Sequence, residues 1–464
     1  MVSVKEVMDS RSVAVFGASQ DSEKPGAMLL NVLKETGFQG MVAGVNPRGG
    51  EVYGFPLYPS LGEIPFPVDL AIMLIPPKAI PQALRDCARK GVKGVVISSE
   101  GFAETGSAGR QFQDEIRDIL RGSGMRGFGP NTMGIVNTAT GLTTGSFSTK
   151  RMLTPGSIGF ISQTGVFVGA LLRYLSSFHG LQISKVLGLG NKLDVDESDA
   201  LHYLMDDEQT RIVGMYLEDI RDGRRFLEVA GQAVQRKPVI LVKGGRTPEG
   251  SKASTSHTGS LAMDEVVLEG ALKQAGVLEV AGIEEMIQTI RGFKDMPLPR
   301  GDRLAFVTYS GAQAIMSIDA ATQEGLGVAR FSEKTKERLA RVIALPSKAR
   351  NPIDIYPDMV IQGFEKMTRE IIRALLDDDG VHGIFVISFG IYGPEPYAPM
   401  VEIIKENLTK PVFFSLFGTK EDVAGCQEFL EEKGMPFYLF PETGVRVFAR
   451  MRRYAKMLEN SHPL

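Results

Sequence analysis

Runs of four to six apolar residues recur along the chain, each closing on glycine or a small polar residue and followed by a stretch whose apolar positions return every three or four residues. A first series predicts strands at Ser12–Phe16, Met41–Val45, Leu70–Ile75, Gly94–Ile97 and Met125–Phe128, with amphipathic helices such as Ile80–Lys90 between them. A second covers Ser157–Ile161, Ile183–Leu187, Ile212–Leu217, Val239–Val242 and Val277–Val280, and a third Leu304–Thr308, Val328–Phe331, Ile384–Ser388, Val412–Leu416 and Phe437–Phe440. Runs this continuous suit parallel strands covered on both faces, so the chain reads as α/β. The proline-bearing stretches Thr149–Pro155 and Met296–Asp302 fall between the series and predict linkers. Three domains are expected, over residues 1–150, 151–298 and 299–464.

The second and third series share wording. Phe160-Ile-Ser-Gln-Thr-Gly165-Val pairs with Phe306-Val-Thr-Tyr-Ser-Gly311-Ala, each a strand running into a small-residue turn that opens a helix. Further on, Asn191-Lys-Leu-Asp194-Val pairs with Asn351-Pro-Ile-Asp354-Ile in the same order, which points to an internal duplication.

Composition narrows the chemistry. A net charge of −3 with 23% charged residues gives no basic surface for nucleic acid and no acidic tail. The two cysteines, Cys87 and Cys426, lie far apart without metal-ligand spacing, which argues against a disulfide scaffold or a zinc site and fits the cytoplasm. No apolar run approaches the ~18 residues of a membrane span, and Met1–Glu6 does not read as a leader. Small-molecule chemistry is the expectation.

Candidate sites gather at turns. Val15-Phe16-Gly17-Ala18-Ser19-Gln20 leaves the first strand on small residues, and the segment through Lys24 and Gly26 opens a helix whose N–H groups favour a phosphate. Where a dehydrogenase would carry a ribose-binding acid after its second strand, the chain has Asn46-Pro-Arg48, so Arg48 favours a phosphorylated ribose or pyrophosphate. Ser98-Ser99-Glu100 ends the fourth strand, on the carboxyl edge where such sheets bind ligands. Ser254-Thr-Ser-His257-Thr-Gly-Ser260 sets one imidazole among hydroxyls and glycine. Such a loop is most often plain surface, but an imidazole so placed can also attack a phosphoryl group at neutral pH while hydroxyls and backbone N–H groups hold the oxygens.

In their order, Gly17-Ala-Ser-Gln20, Asn46-Pro47, Ser99-Glu100-Gly101, Gly129-Pro-Asn131, Ser162-Gln-Thr-Gly165, Glu218, Ser256-His-Thr-Gly-Ser260 and Asn351-Pro-Ile-Asp354 make the whole chain resemble the α subunits of ADP-forming acetyl-CoA synthetases, the nucleoside-diphosphate-forming branch of the succinyl-CoA synthetase superfamily. The resemblance implies a Rossmann-like CoA-binding domain followed by two flavodoxin-like ligase domains. It also implies a reaction interconverting acyl-CoA, ADP and phosphate with free acid, CoA and ATP. Gly17, Ala18, Ser19 and Gln20 would then hold the pyrophosphate and pantetheine of CoA, Arg48 a CoA phosphate, and Ser98, Ser99 and Glu100 the other side of the groove. His257 would be phosphorylated, and Glu218 would hydrogen-bond its second nitrogen. The helix starts after Ser162, Thr164 and Gly165 and after Ser310, Gly311 and Ala312 would converge on the phosphohistidine as two halves of one anion hole.

The chain carries no Walker A loop and no recognisable ATP-grasp segment, so the resemblance implies a β subunit that supplies the ATP-grasp domain and Mg²⁺-nucleotide in an α2β2 assembly, with the His257 segment shuttling on Gly244, Gly245, Gly250 and Gly259. Thr132 stands where relatives have cysteine, Ser310-Gly-Ala where they often have paired glycines, and Gly169 where succinate-type enzymes carry an aromatic ring, which disfavours succinate. Two other readings remain open: a CoA ligase or acyltransferase of different chemistry on the same chassis, and a CoA-binding regulatory module with an inert His257.

Overall fold

The computed structural model describes residues 2–165, 169–258, 265–345, 348–356, 358, 361, 363–390 and 393–461, with side chains left out at 254–258. The chain forms two compact units, Met1–Ser177 with Leu181–Ile283, and Phe178–Gly180 with Glu284–Leu464.

The first unit holds two sheets. In the first, β1 (Ser12–Phe16), β2 (Met41–Val45), β4 (Phe55–Tyr58), β5 (Leu70–Met73), β6 (Gly94–Ile97) and β7 (Arg126–Phe128) are parallel, and β3 (Gly50–Val52) runs antiparallel on the β4 edge. The order β3-β4-β2-β1-β5-β6-β7 is the dinucleotide-fold order with one added edge strand. Strands β1, β5 and β6 are buried at every position, as their unbroken apolar runs require. The helix Pro25–Thr36 starts on proline and stops at Gly37 in the left-handed region, and Ile80–Lys90 stops the same way at Gly91. The order in which strands are added reverses between the parallel neighbours β1 and β5, so the ligand crevice of this sheet opens beyond their carboxyl ends.

The second sheet has the order β14-β13-β12-β10-β11-β8-β9, built from β10 (Ile158–Ser162), β11 (Ile183–Gly188), β12 (Ile212–Leu217), β13 (Val239–Lys243) and β14 (Leu278–Val280), all parallel. The hairpin of β8 (Ile135–Asn137) and β9 (Leu142–Thr143), ahead of the expected linker, joins its β11 edge antiparallel.

The second unit carries one sheet, β16-β15-β18-β19, from β15 (Arg303–Thr308), β16 (Gly327–Val328), β18 (Gly383–Phe389) and β19 (Val412–Phe417), with β17 (Ile353–Asp354) also pairing β15. The order repeats β11-β10-β12-β13 of the second sheet, the flavodoxin-like order, so the sequence duplication is a duplication of topology. Phe437–Phe440, expected as a strand, makes only an isolated bridge from Phe437 to Phe414. Pro436 removes one donor at its start, and Pro441 begins the helix Pro441–Ser461 at its end. The helix Ile283–Asp295 packs with this unit through Arg450–Glu285 at 2.5 Å and a buried Arg291–Glu431 ion pair.

Candidate active site

The first turn owes its shape to close backbone approach. Gly17 sits at φ 83°, and a Cβ there would lie 2.2 Å from the carbonyl oxygen of Leu74 at the end of β5. Gly26, in the following helix, would press a Cβ to 2.3 Å from Gly17 O. Both must be glycine for strand and helix to close on the crevice. Ala18 is buried and its carbonyl accepts from Asn46 Nδ2 at 2.6 Å, which ties the end of β2 to the end of β1. Ser19 Oγ accepts from Asp21 N at 3.1 Å, and Gln20 reaches out to Gly50 on the edge strand. Arg48 is exposed, its backbone N–H fixed on Asn46 Oδ1 at 2.9 Å.

Across the switch point, Ser98 donates its N–H to Met73 O at 3.2 Å and Ser99 Oγ donates to Ile75 O at 2.5 Å, while Glu100 is exposed. Gly17, Ala18, Ser19, Ser98 and Ser99 thus line one carboxyl edge. Glu104, which sequence reasoning did not single out, braces the loop beside them. It accepts from Gly101 N at 2.6 Å, from Phe102 N at 3.0 Å and from Asn191 Nδ2 at 2.6 Å. Burial pushes its carboxyl up, but these donors hold it below the ordinary value.

The two duplicated turns share one device. Ser162 is fully buried, and its Oγ accepts from Thr164 N at 3.1 Å while donating to Thr164 O at 2.8 Å. In the second unit Thr308 is equally buried, and its Oγ1 accepts from Ser310 N at 3.0 Å and donates to Ser310 O at 2.9 Å. The hydroxyl of Ser162 is therefore spent inside its own turn, which leaves Thr164 and Gly165 to face outward. The helix Gly311–Gln323 opens at Gly311 and Ala312 with Ser310 as its N-cap, and the Ser310 side chain makes no capping bond. The first copy continues into the helix Ala170–Leu175.

Glu218 follows β12 and is held from several directions. Its N–H, and that of Asp219, donate to Gln163 Oε1 at 2.8 and 3.2 Å, and its carbonyl accepts from Lys243 Nζ at 2.7 Å. Tyr216 donates its hydroxyl to Glu218 Oε1 at 3.3 Å, and burial together with that carboxylate pushes the phenol up to about 12. Behind it lies a buried charge cluster that sequence reasoning missed. Lys192 Nζ contacts Asp219 Oδ1 at 2.7 Å, Asp219 O at 2.8 Å and Glu197 Oε2 at 2.8 Å. Gln163 Nε2 closes the cluster on Asp219 Oδ1 at 2.6 Å. Burial pushes the Asp219 carboxyl up, yet Lys192 and Gln163 hold it below its usual value. The one sequence signal for Lys192 was its place inside the repeated Asn191–Asp194 motif.

His257 falls in the helix Pro248–Thr258, but its side chain, like Gly259 and Ser260, lies outside the described residues, and so does its expected pairing with Glu218. The backbone of that helix approaches the turn Ala103–Thr105, directly beyond the Ser98–Glu100 edge. Among the described residues one group has metal-ligand spacing, His179 Nε2 at 3.6 Å from both Glu428 Oε1 and Glu432 Oε1, and all three side chains are exposed.

Residues 11–138 match the model of a CoA binding domain and residues 155–293 that of a succinyl-CoA ligase like flavodoxin domain. Over 439 residues, 93% of each chain, the sequence is 38% identical to the α subunit of acetate–CoA ligase [ADP-forming] II of Pyrococcus furiosus, and it is 34% identical over 98% of each chain to the α subunit of that organism's enzyme I. The chain belongs to the ADP-forming acetate–CoA ligase family. A solved relative agrees: the dinucleotide forming acetyl-coenzyme A synthetase 1 of Ca. Korarchaeum cryptofilum, in complex with phosphate and ADP, superposes with a TM-score of 0.90 at 29% identity over all of both chains. The single-chain acetate–CoA ligase [ADP-forming] II of Archaeoglobus fulgidus is 36% identical over 98% of this ligase but 67% of its own length. Among the described residues, no helix of the ligase is long and apolar enough to cross a membrane.

Proposed function

We propose that this ligase is the α subunit of an ADP-forming acyl-CoA synthetase that turns acyl-CoA, ADP and phosphate into acid, CoA and ATP through phosphorylated His257. The observation that carries the reading is the approach of the His257 helix to Ala103–Thr105, which brings the nucleophile's segment to the edge where the switch-point crevice opens. Phosphate attacks the thioester carbonyl carbon, a C–O bond forms, the C–S bond breaks, and CoA leaves as the thiol. The imidazole nitrogen of His257 then attacks phosphorus, and the acid departs with the bridging oxygen. ADP takes the phosphoryl group last.

Each group has a physical task. N–H groups around Gly17–Gln20, with Arg48, hold the phosphates of CoA, and Ser98, Ser99 and Glu100 line the opposite wall. The turn Thr164–Gly165, made rigid because the buried Ser162 hydroxyl takes the Thr164 N–H, presents the Gly165 N–H to the transferring phosphoryl oxygens, and in the turn of the same build the Ser310 N–H is taken by Thr308, which leaves Gly311 and Ala312 as the anion tip. Glu218 accepts the second imidazole N–H, which fixes the attacking nitrogen. Nucleotide and Mg²⁺ sit on a partner β subunit of ATP-grasp type in an α2β2 complex, and Gly244, Gly245 and Gly250 let the His257 segment travel between the sites.

The test is to purify the chain with its partner and supply acetyl-CoA, ADP and phosphate. ATP should form, and His257→Ala should abolish it while CoA still binds. A complex that binds CoA but makes no ATP from any acyl-CoA would favour a regulatory module instead.

A further inference from the structure

The CoA edge of the first sheet and the phosphate turn of the second, both in one compact unit, are joined by the loop 129–134. The loop is pinned on every side. Asn131 N donates to Ser99 O at 2.9 Å, Asn191 N to Pro130 O at 3.0 Å, and Leu193 N to Gly129 O at 2.8 Å. Thr132 Oγ1 donates to Gly188 O and accepts from Gly134 N, both at 3.0 Å, and Thr144 Oγ1 donates to Met133 O at 2.9 Å. Backbone fixed this tightly leaves the Met133 side chain a defined place to go. It lies over the glycine turn: a Cβ on Gly165 would meet Met133 Cγ at 3.1 Å and Sδ at 3.5 Å, and one on Gly169 would meet Sδ at 3.6 Å and Cε at 3.8 Å.

Under the proposed function, the thioester carbonyl must sit within bonding reach of the CoA sulfur, arriving from the Ser98–Ser99 edge, and of a phosphate held at Thr164–Gly165. The substituent on that carbonyl is then directed at the wall between these two places. We propose that Met133 is the specificity-determining residue for the acid, its thioether closing the space over Gly165 and Gly169 and so limiting the length of an apolar acyl chain. Methionine is unbranched and has three rotatable bonds, so it fills irregular space and excludes by volume. Neither the thioether nor the two glycines offer a charged partner to a second carboxylate at that wall, and stripping such a group of water without compensation is unfavourable. Among the described residues, Met133, Gly165 and Gly169 therefore favour an apolar acyl chain and rank such chains by size.

The experiment compares kcat/KM for acetyl-, propionyl-, butyryl- and succinyl-CoA in wild type, Met133→Ala, Met133→Leu and Met133→Phe, each assembled with the partner subunit. A methylene's worth of space in an apolar pocket changes discrimination by roughly ten-fold or more. Met133→Ala should raise the butyryl-to-acetyl ratio by about that factor, Met133→Phe should lower it, and Met133→Leu should leave it within about two-fold, all with succinyl-CoA still poor. Ratios are read within each variant, so loss of folded protein cancels. Unchanged ratios in Met133→Ala and Met133→Phe, with wild type turning over acetyl-CoA, overturn the role of Met133 and leave the ligase reading standing. A wild type inactive on the whole series overturns both.

Discussion

Lys192→Met tests the buried charge cluster behind Glu218. Lys192 is 3% exposed, and its ammonium is shared between Glu197, which is fully buried, and Asp219. Methionine keeps most of the stem's length and volume but removes the charge, so two acids, one of them entirely without water, lose their common partner. Breaking a buried ion pair from one side costs about 3–5 kcal/mol, because the remaining charge stays desolvated. In a unit of this size a kcal/mol is worth roughly 2–4 °C, so the first unit should melt about 6–20 °C lower. Urea unfolding followed by circular dichroism at pH 7 reads the effect, and Lys192→Met with Glu197→Gln should recover part of the loss because one stranded charge disappears. A loss below about 1 kcal/mol, or a double variant worse than the single one by the full cost of Glu197→Gln alone, would refute the reasoning.

Gly17→Ala forces a side chain to 2.2 Å from Leu74 O at positive φ, so CoA affinity should fall at least about ten-fold by calorimetry, whereas Gly91→Ala, also at positive φ but with open space around it, should leave CoA binding intact. Glu218→Gln should slow phosphorylation of the chain by about 10²-fold while CoA affinity stays within about two-fold; equal loss of both would remove its assigned role. Asp219 and Glu104 are held below ordinary carboxyl values in the fold, so the stability they contribute is complete above about pH 5 and is lost as pH falls through the unfolded and then the lower folded values. Unfolding free energy should therefore show no loss from these two groups between pH 7 and 5 and should drop below pH 4. The drop should be shallower in Lys192→Met, which removes the largest of the causes that lower Asp219 and leaves Gln163 in place. A Lys192→Met acid limb as steep as that of wild type would contradict this.

Much of the fold was written in the chain because a strand buried on both faces has no choice but to be apolar throughout: Ser12–Phe16, Met41–Val45, Gly94–Ile97 and Ile212–Leu217 were legible residue by residue. The short strands Gly50–Val52 and Ile353–Asp354 were not, since a strand this short and paired on one side needs only backbone pairing and leaves little hydrophobic trace, and Phe55–Tyr58, though paired on both sides, buries only Leu57 and is interrupted by Pro56. Phe437–Phe440 misled in the opposite sense, its apolar residues reading as a strand although the flanking prolines deny it a ladder. The repeated turn was legible as a strand running into a small-residue helix start, but the work of its hydroxyl was not: Ser162 reads as a phosphate contact, whereas it and Thr308 both bond within their own turns. The charge cluster behind Glu218 was not legible. Gln163, Lys192 with Glu197, and Asp219 come from three separate stretches of the chain, and no local period or spacing marks side chains that meet only once three strands are side by side.

The most direct test is phosphorus itself. Incubated with its partner subunit and γ-32P-labelled ATP, the chain should take up label that survives alkali, is lost in acid, and maps by peptide mass spectrometry to His257. His257→Ala should take up none. Label that resists acid, sits on a hydroxyl residue, or persists in His257→Ala would contradict a histidine relay.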